Sequence, residues 1–157
     1  MSTVPERIIG KAAAAGKRIA AAESLTAGMV AAELGTVAGA SAVLQGGVVA
    51  YQNAVKEEVL GVDRTLLASA GSVDARVAEQ MAAGVRTLLK ADFGVSTTGV
   101  AGPDPHDGKD VGTVFIGLAG PGGTSSQEFH FAGDRASIRA QACAAALRLL
   151  AAELDRT

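Results

Sequence analysis

Lys17-Arg18-Ile19-Ala20-Ala21-Ala22-Glu23-Ser24-Leu25-Thr26-Ala27-Gly28-Met29-Val30 is the stretch on which the fold turns. Lys17 to Ala22 reads as a short buried strand. Ser24 and Thr26 follow at once, and both are good helix-capping residues. Met29 to Leu34 is then a helix that Gly35 ends. Upstream, the apolar residues from Val4 to Ala15 recur at helical spacing until Gly16 stops them. The chain therefore opens as helix, strand, tight turn, helix.

Working outward, Val43 to Tyr51 is rich in β-branched residues and interrupted by Gly46 and Gly47, which suits a strand with a bulge or a close backbone approach. A helix from about Ala54 breaks at Gly61. Asp63 caps a short helix to Ala70, and Ser72 is placed to cap a longer one from Asp74 to Lys90. Phe93 to Thr98 reads as a strand running into Gly99-Val100-Ala101-Gly102-Pro103-Asp104, where Gly and Pro forbid regular structure, and a loop follows through Asp110. Val111 to Ala119 and Ser125 to Phe131 are strands around the turn Gly120-Pro121-Gly122-Gly123. A helix from Asp134 to Asp155 closes the chain. Helices alternating with strands early and a hairpin late predict an α/β fold: a three-layer α/β/α sandwich with a mixed, mostly parallel sheet, as one domain over residues 1–157.

Composition narrows the function. Hydrophobic residues are 48% of the 157 but aromatic residues only 3%, so the core is built from Ala, Val, Leu and Ile, which favours close packing of helices on a sheet. A net charge of -2 and the absence of Trp leave neither the basic stripe nor the stacking surfaces that nucleic acid requires. Cys143 is the only cysteine, so no intrachain disulfide forms, and its Ala-rich surroundings read as a buried helix position. No apolar run is long enough to span a membrane and the first residues lack a signal-peptide pattern, so a cytoplasmic protein is expected.

Ser24 stands at the carboxyl end of a strand and before a helix, a position that exposes a side chain at the sheet's edge. It reads either as an N-cap or as a nucleophile, with the backbone N–H groups of Thr26, Ala27 and Gly28 available to an oxyanion. Tyr51, Asn53 and Lys56 cluster after the second strand. A partly desolvated lysine can take a serine proton, with Tyr or Asn orienting its path; the other reading of Lys56 is an ordinary exposed helix residue. Asp104, His106, Asp107 and Asp110 lack the ligand spacing of a calcium loop, and no Walker or GxGxxG pattern is complete, so neither a metal nor a cofactor is called for. Gly133-Asp134-Arg135 with Arg139 one turn later places two guanidinium groups near a helix N-terminus, either a small phosphate site or a capped, solvated helix start.

Glu23-Ser24-Leu25-Thr26-Ala27-Gly28 resembles the ESxTGG signature of the CinA C-terminal domain family, the nicotinamide-nucleotide amidases. Further blocks match in order: Gly47 to Asn53 with Lys56 and Leu60-Gly61-Val62; Thr98 to Pro103; Val111-Gly112-Thr113-Val114; and Gly133-Asp134-Arg135 with Arg139. Two departures stand out. Ala27 occupies a position commonly Gly, expected to narrow the oxyanion pocket, and Pro105 to Lys109 replaces a more Gly-rich loop, expected to alter closure over substrate. The resemblance implies metal-free and cofactor-free hydrolysis of the carboxamide of nicotinamide mononucleotide, a small-molecule nucleotide substrate. It implies Ser24 as nucleophile, Tyr51 and Lys56 as its activators, and substrate contacts from Thr26, Ala27, Gly28, Asn53, Thr98, Gly99, Ala101, Gly102, Arg135 and Arg139. It also implies a standalone form without the additional N-terminal domain of many relatives, and homo-oligomers, which are common in the family. Two other classes compete. A binding module of the same fold would hold a pyridine nucleotide without turning it over, and a short-chain reductase would need Tyr-x-x-x-Lys, whereas Tyr51 and Lys56 are five apart.

Overall fold

The computed structural model describes residues 1–157. Strand β1 (Ile19–Glu23) is buried throughout, and its side chains alternate between two cores. Ile19 and Ala21 pack with α1 (Val4–Ala15), α2 (Met29–Gly35) and α6 (Arg135–Asp155) on one face. Ala20 and Ala22 pack with α4 (Arg64–Ala70) and α5 (Ala75–Leu88) on the other, where α3 (Asn53–Glu58) adds Val55. This two-residue alternation, with apolar helix faces on both sides, produces the three layers.

The remaining strands are β2 (Leu44–Val49), β3 (Phe93–Gly99), β4 (Thr113–Gly120) and β5 (Gly123–His130), in the order β2-β1-β3-β4-β5. β1 lies parallel to both β2 and β3, whereas β3–β4 and β4–β5 are antiparallel. The sheet is mixed as expected. Only β4 runs against the rest, but its place between β3 and β5 divides the pairings evenly between parallel and antiparallel. The expected bulge is present: Ile19 pairs with Leu44 and Ala20 with Gly46, so Gln45 is the extra residue.

Small residues let the layers approach. A Cβ on Gly94 or Gly117 would lie 2.2 Å from the Ala82 or Ala78 carbonyl oxygen of α5, and Ser96 Oγ donates to that Ala78 oxygen at 2.5 Å. Alanine at either glycine would push α5 off the sheet, at about 1–3 kcal/mol for overpacking.

Three local expectations are corrected. Asp74, not Ser72, caps α5, its carboxylate accepting from the Arg76 and Val77 amides. Neither Ser24 nor Thr26 caps α2; residues 24–28 form a turn and Gly28, at φ +103°, is the N-cap. The amides of Val30 and Ala31 in α2 are met instead from the preceding strand, by the Glu23 carboxylate. β4 begins at Thr113 rather than Val111, because the Val100–Thr113 and Gly112–Val100 backbone bonds close the preceding loop at its base.

Candidate active site

From β1 the chain crosses to β2 on one side, then returns past β1 to β3 on the other. The carboxyl ends of β1 and β3 therefore lie at a topological switch point, where open α/β sheets leave a crevice. Here a cavity of about 320 Å³ is lined by Ser24, Tyr51, Ser72, the segment 99–106 and Arg135.

Ser24 is 8% exposed and Lys56 1%. Lys56 reaches from α3 under the β1 end, with Nζ 2.9 Å from Ser24 Oγ, 2.8 Å from the Ala50 carbonyl and 3.1 Å from the Tyr51 carbonyl. No carboxylate pairs with it, and burial lowers its pKa from 10.5 to about 8. In the neutral amine the two carbonyls accept its two hydrogens, which leaves the lone pair facing Ser24 Oγ. That arrangement suits proton transfer from the hydroxyl, and the surface-helix reading of Lys56 does not hold.

Tyr51 contributes differently from expectation. The residue is 48% exposed, its hydroxyl accepts from Arg135 Nη2 at 2.7 Å, and only its backbone oxygen meets Lys56. Arg135 also donates to the Gly102 carbonyl at 2.7 Å, tying the mouth of the cavity to the loop after β3. Of the expected contact residues, Gly99, Ala101 and Gly102 line the cavity with Ser24, Tyr51 and Arg135.

The others lie elsewhere. Asn53 is exposed at the start of α3. Thr98 is buried and its hydroxyl donates to the Ser72 carbonyl at 2.7 Å. Arg139 is spent on the turn after β1, donating from Nε to the Leu25 carbonyl at 2.8 Å and from Nη2 to that of Thr26 at 3.4 Å. The N-terminus of α6 is already met by Asp134, whose carboxylate accepts from the Ser137 amide. Ala27 is exposed at φ +47° and outside the cavity lining, so it does not narrow the site; a left-handed conformation explains why glycine suits this position. Within the turn the Ala27 amide donates to the Ser24 carbonyl, whereas the amides of Leu25, Thr26 and Gly28 have no acceptor in the chain.

Ser72 and Asp107 also shape the cavity, which neither residue type nor spacing signals. Ser72, expected as a cap, lines the cavity instead, and its amide and hydroxyl both donate to the Asp107 carboxylate at 3.1 and 3.3 Å. Asp107 thereby fastens the loop carrying Pro103 to His106 along the cavity. Gly71 permits this, since a Cβ there would lie 2.7 Å from the Asp107 carboxylate. The acidic loop, which lacks metal-ligand spacing, forms a wall of the cavity.

An α/β/α domain with a buried lysine against a serine at the carboxyl edge of its central parallel strands is the class that fold and site define. The profile of the CinA C-terminal domain matches residues 1–154, and the chain belongs to that family. It is 52% identical over 132 residues to a CinA-like protein of Frankia casuarinae, covering 84% of this chain and 30% of that one. With a CinA-like protein of Anaeromyxobacter dehalogenans it shares 49% over 150 residues, 94% of this chain and 36% of the relative. The chain thus spans about a third of the length of these relatives. Among solved structures, the Agrobacterium tumefaciens competence/damage inducible protein CihA superposes with a TM-score of 0.92 at 34% identity, covering 99% of each chain. A CinA superfamily protein of Klebsiella pneumoniae gives 0.93 at 32%, over 98% of this chain and 97% of that one.

Proposed function

We propose that this domain is an amidase that deamidates nicotinamide mononucleotide, with Ser24 as nucleophile and Lys56 as general base. The observation that carries the reading is Lys56 Nζ at 2.9 Å from Ser24 Oγ, buried without a counter-charge. The cavity falls in the size range of small-molecule sites, about 300–1,000 Å³. The choice of substrate rests on the sequence blocks described above, and Arg135 at the cavity mouth gives a phosphate a partner.

In this scheme Lys56 takes the Ser24 proton as Oγ attacks the carboxamide carbon, and the unpaired amide of Leu25, which lines the cavity, stabilises the oxyanion. Collapse breaks the C–N bond, Lys56 returns the proton to the leaving nitrogen, and ammonia departs from an ester on Ser24. Water, deprotonated by Lys56, then releases nicotinic acid mononucleotide. The test is ammonia release from nicotinamide mononucleotide by the parent and by Ser24→Ala. Loss of the nucleophile is expected to cost on the order of 10³-fold or more in kcat, with the fold retained because Ser24 caps nothing. A protein that binds the nucleotide but releases no ammonia would be a binding module, and near-parental turnover by Ser24→Ala would remove Ser24 from the chemistry.

A further inference from the structure

Glu23 is 2% exposed and no cation pairs with it, although it immediately precedes Ser24. Its Oε1 accepts from the Val30 amide at 2.8 Å and its Oε2 from the Ala31 amide at 3.0 Å. As a carboxylate Glu23 can only accept, and each of its oxygens faces an amide that can only donate. Oε1 also lies 2.6 Å from Thr26 Oγ1, and the Thr26 hydroxyl must therefore give its proton to Glu23.

That assignment propagates. Thr26 Oγ1 is 2.8 Å from Thr97 Oγ1, a contact that either hydroxyl could donate. With the Thr26 proton committed, Thr97 is the donor. Thr97 Oγ1 is left as an acceptor, and the Ser24 amide lies 3.2 Å from it, shared with the Thr97 carbonyl at 3.0 Å. Thr26 and Thr97 are both wholly buried. The bonds form one directed chain: Ser24 N–H to Thr97, Thr97 O–H to Thr26, Thr26 O–H to Glu23.

From this we infer that Glu23 is a positioning residue for the nucleophile, acting through Thr26 and Thr97. The chain fixes the backbone of Ser24 against β3 and the turn against α2, so that Ser24 Oγ stays in line with Lys56. The polarity depends on Glu23: an amide there would set an NH₂ against the Ala31 N–H or against the Val30 N–H and the Thr26 hydroxyl. The inference rests on the amidase reading for its catalytic consequence, but the chain itself can be tested without substrate.

The experiment compares Thr97→Val, which keeps shape but loses the hydroxyl, with Thr97→Ser, which keeps the hydroxyl, and with Glu23→Gln. Backbone amide exchange by NMR is read first. Thr97→Val should expose Ser24 to faster exchange and leave Val30 and Ala31 protected, Thr97→Ser should restore Ser24, and Glu23→Gln should loosen all three. Steady-state kinetics on nicotinamide mononucleotide are read second. Thr97→Val should lower kcat roughly 10- to 100-fold with little change in KM, as expected for a misaligned reacting group, and Thr97→Ser should recover most of it. Parental kcat in a folded Thr97→Val protein, or a Thr97→Ser enzyme as impaired as Thr97→Val, overturns the positioning role. Unchanged Ser24 exchange in Thr97→Val overturns the chain. If Glu23→Gln fails to fold, the Thr97 pair still decides, and a parent that releases no ammonia defeats the amidase reading while the exchange data judge the chain separately.

Discussion

Desolvation alone lowers the Lys56 ammonium to about 8, because its partners are a hydroxyl and two carbonyls rather than an anion. Only the neutral amine can accept the Ser24 proton, so kcat should rise with pH along a limb centred near that value. Lys56→Arg should be inactive across the range, since guanidinium keeps its proton. Tyr51→Phe should retain the limb, because the phenol faces Arg135 and not Ser24. A flat profile between pH 6 and 9 would remove Lys56 as the base, and a limb lost in Tyr51→Phe would return that role to Tyr51. The two arginines separate in the same assay. Arg135→Ala should raise KM for the mononucleotide more than for nicotinamide riboside, which lacks the phosphate. Arg139→Lys should instead lower kcat for both equally, by about 10-fold, since one ammonium cannot hold both the Leu25 and Thr26 carbonyls. Unequal losses for Arg139→Lys would give that residue back to the phosphate. On residue type alone Ser24 reads as cap or nucleophile and Lys56 as surface residue or base, and the resemblance of the surrounding blocks is what favours the second reading of each; the structure brings the two side chains to 2.9 Å. Arg139 and Glu23 were not legible: a guanidinium near a helix start reads equally as anion ligand or anchor, and a carboxylate capping a helix from the preceding strand leaves no mark at the cap position.

Among the elements, the strongly periodic segments were legible to within a residue or two. α1 spans the expected Val4–Ala15, and the hairpin turns at Gly120–Gly123. What failed was competition between neighbours: Asp74 outdid Ser72 as cap, and Ser72 was drawn to a loop more than thirty residues away. That loop, Pro103 to Asp110, has its own prediction. Asp107→Ala frees the Ser72 amide and hydroxyl and unfastens the wall carrying His106, while Ser24 and Lys56 stay in place. KM should rise about 5- to 10-fold with kcat within about a factor of two, the pattern of lost ground-state binding. Gly71→Ala should produce the same change, since its Cβ would fall against the Asp107 carboxylate and its φ of +80° already disfavours a side chain. If KM is unmoved in both, the loop takes no part in holding substrate. A fall in kcat alone would mean that the latch acts on the nucleophile turn.

For the molecule as a whole, burying Lys56 links its titration to folding. The unfolded chain holds the Lys56 proton up to about 10.5, whereas the folded protein releases it near 8. Between these values unfolding takes up a proton, so stability rises with pH, by up to about 1.4 kcal/mol per pH unit. Below about pH 8 both states are protonated and the full penalty of a buried charge applies, roughly 3 kcal/mol from the depressed pKa. Lys56→Met removes the charge and keeps most of the volume, at the cost of leaving the Ala50 and Tyr51 carbonyls without their donor. That cost does not depend on pH, whereas the relief does. The measurement is urea unfolding of parent and Lys56→Met at several pH values from 7 to 10.5. The variant's advantage should be largest near pH 7 and shrink steadily above pH 8, as the parent sheds its buried proton. A difference that stays constant across this range would show that Lys56 does not titrate there in the folded protein, and would remove the physical basis for its service as a base near neutral pH.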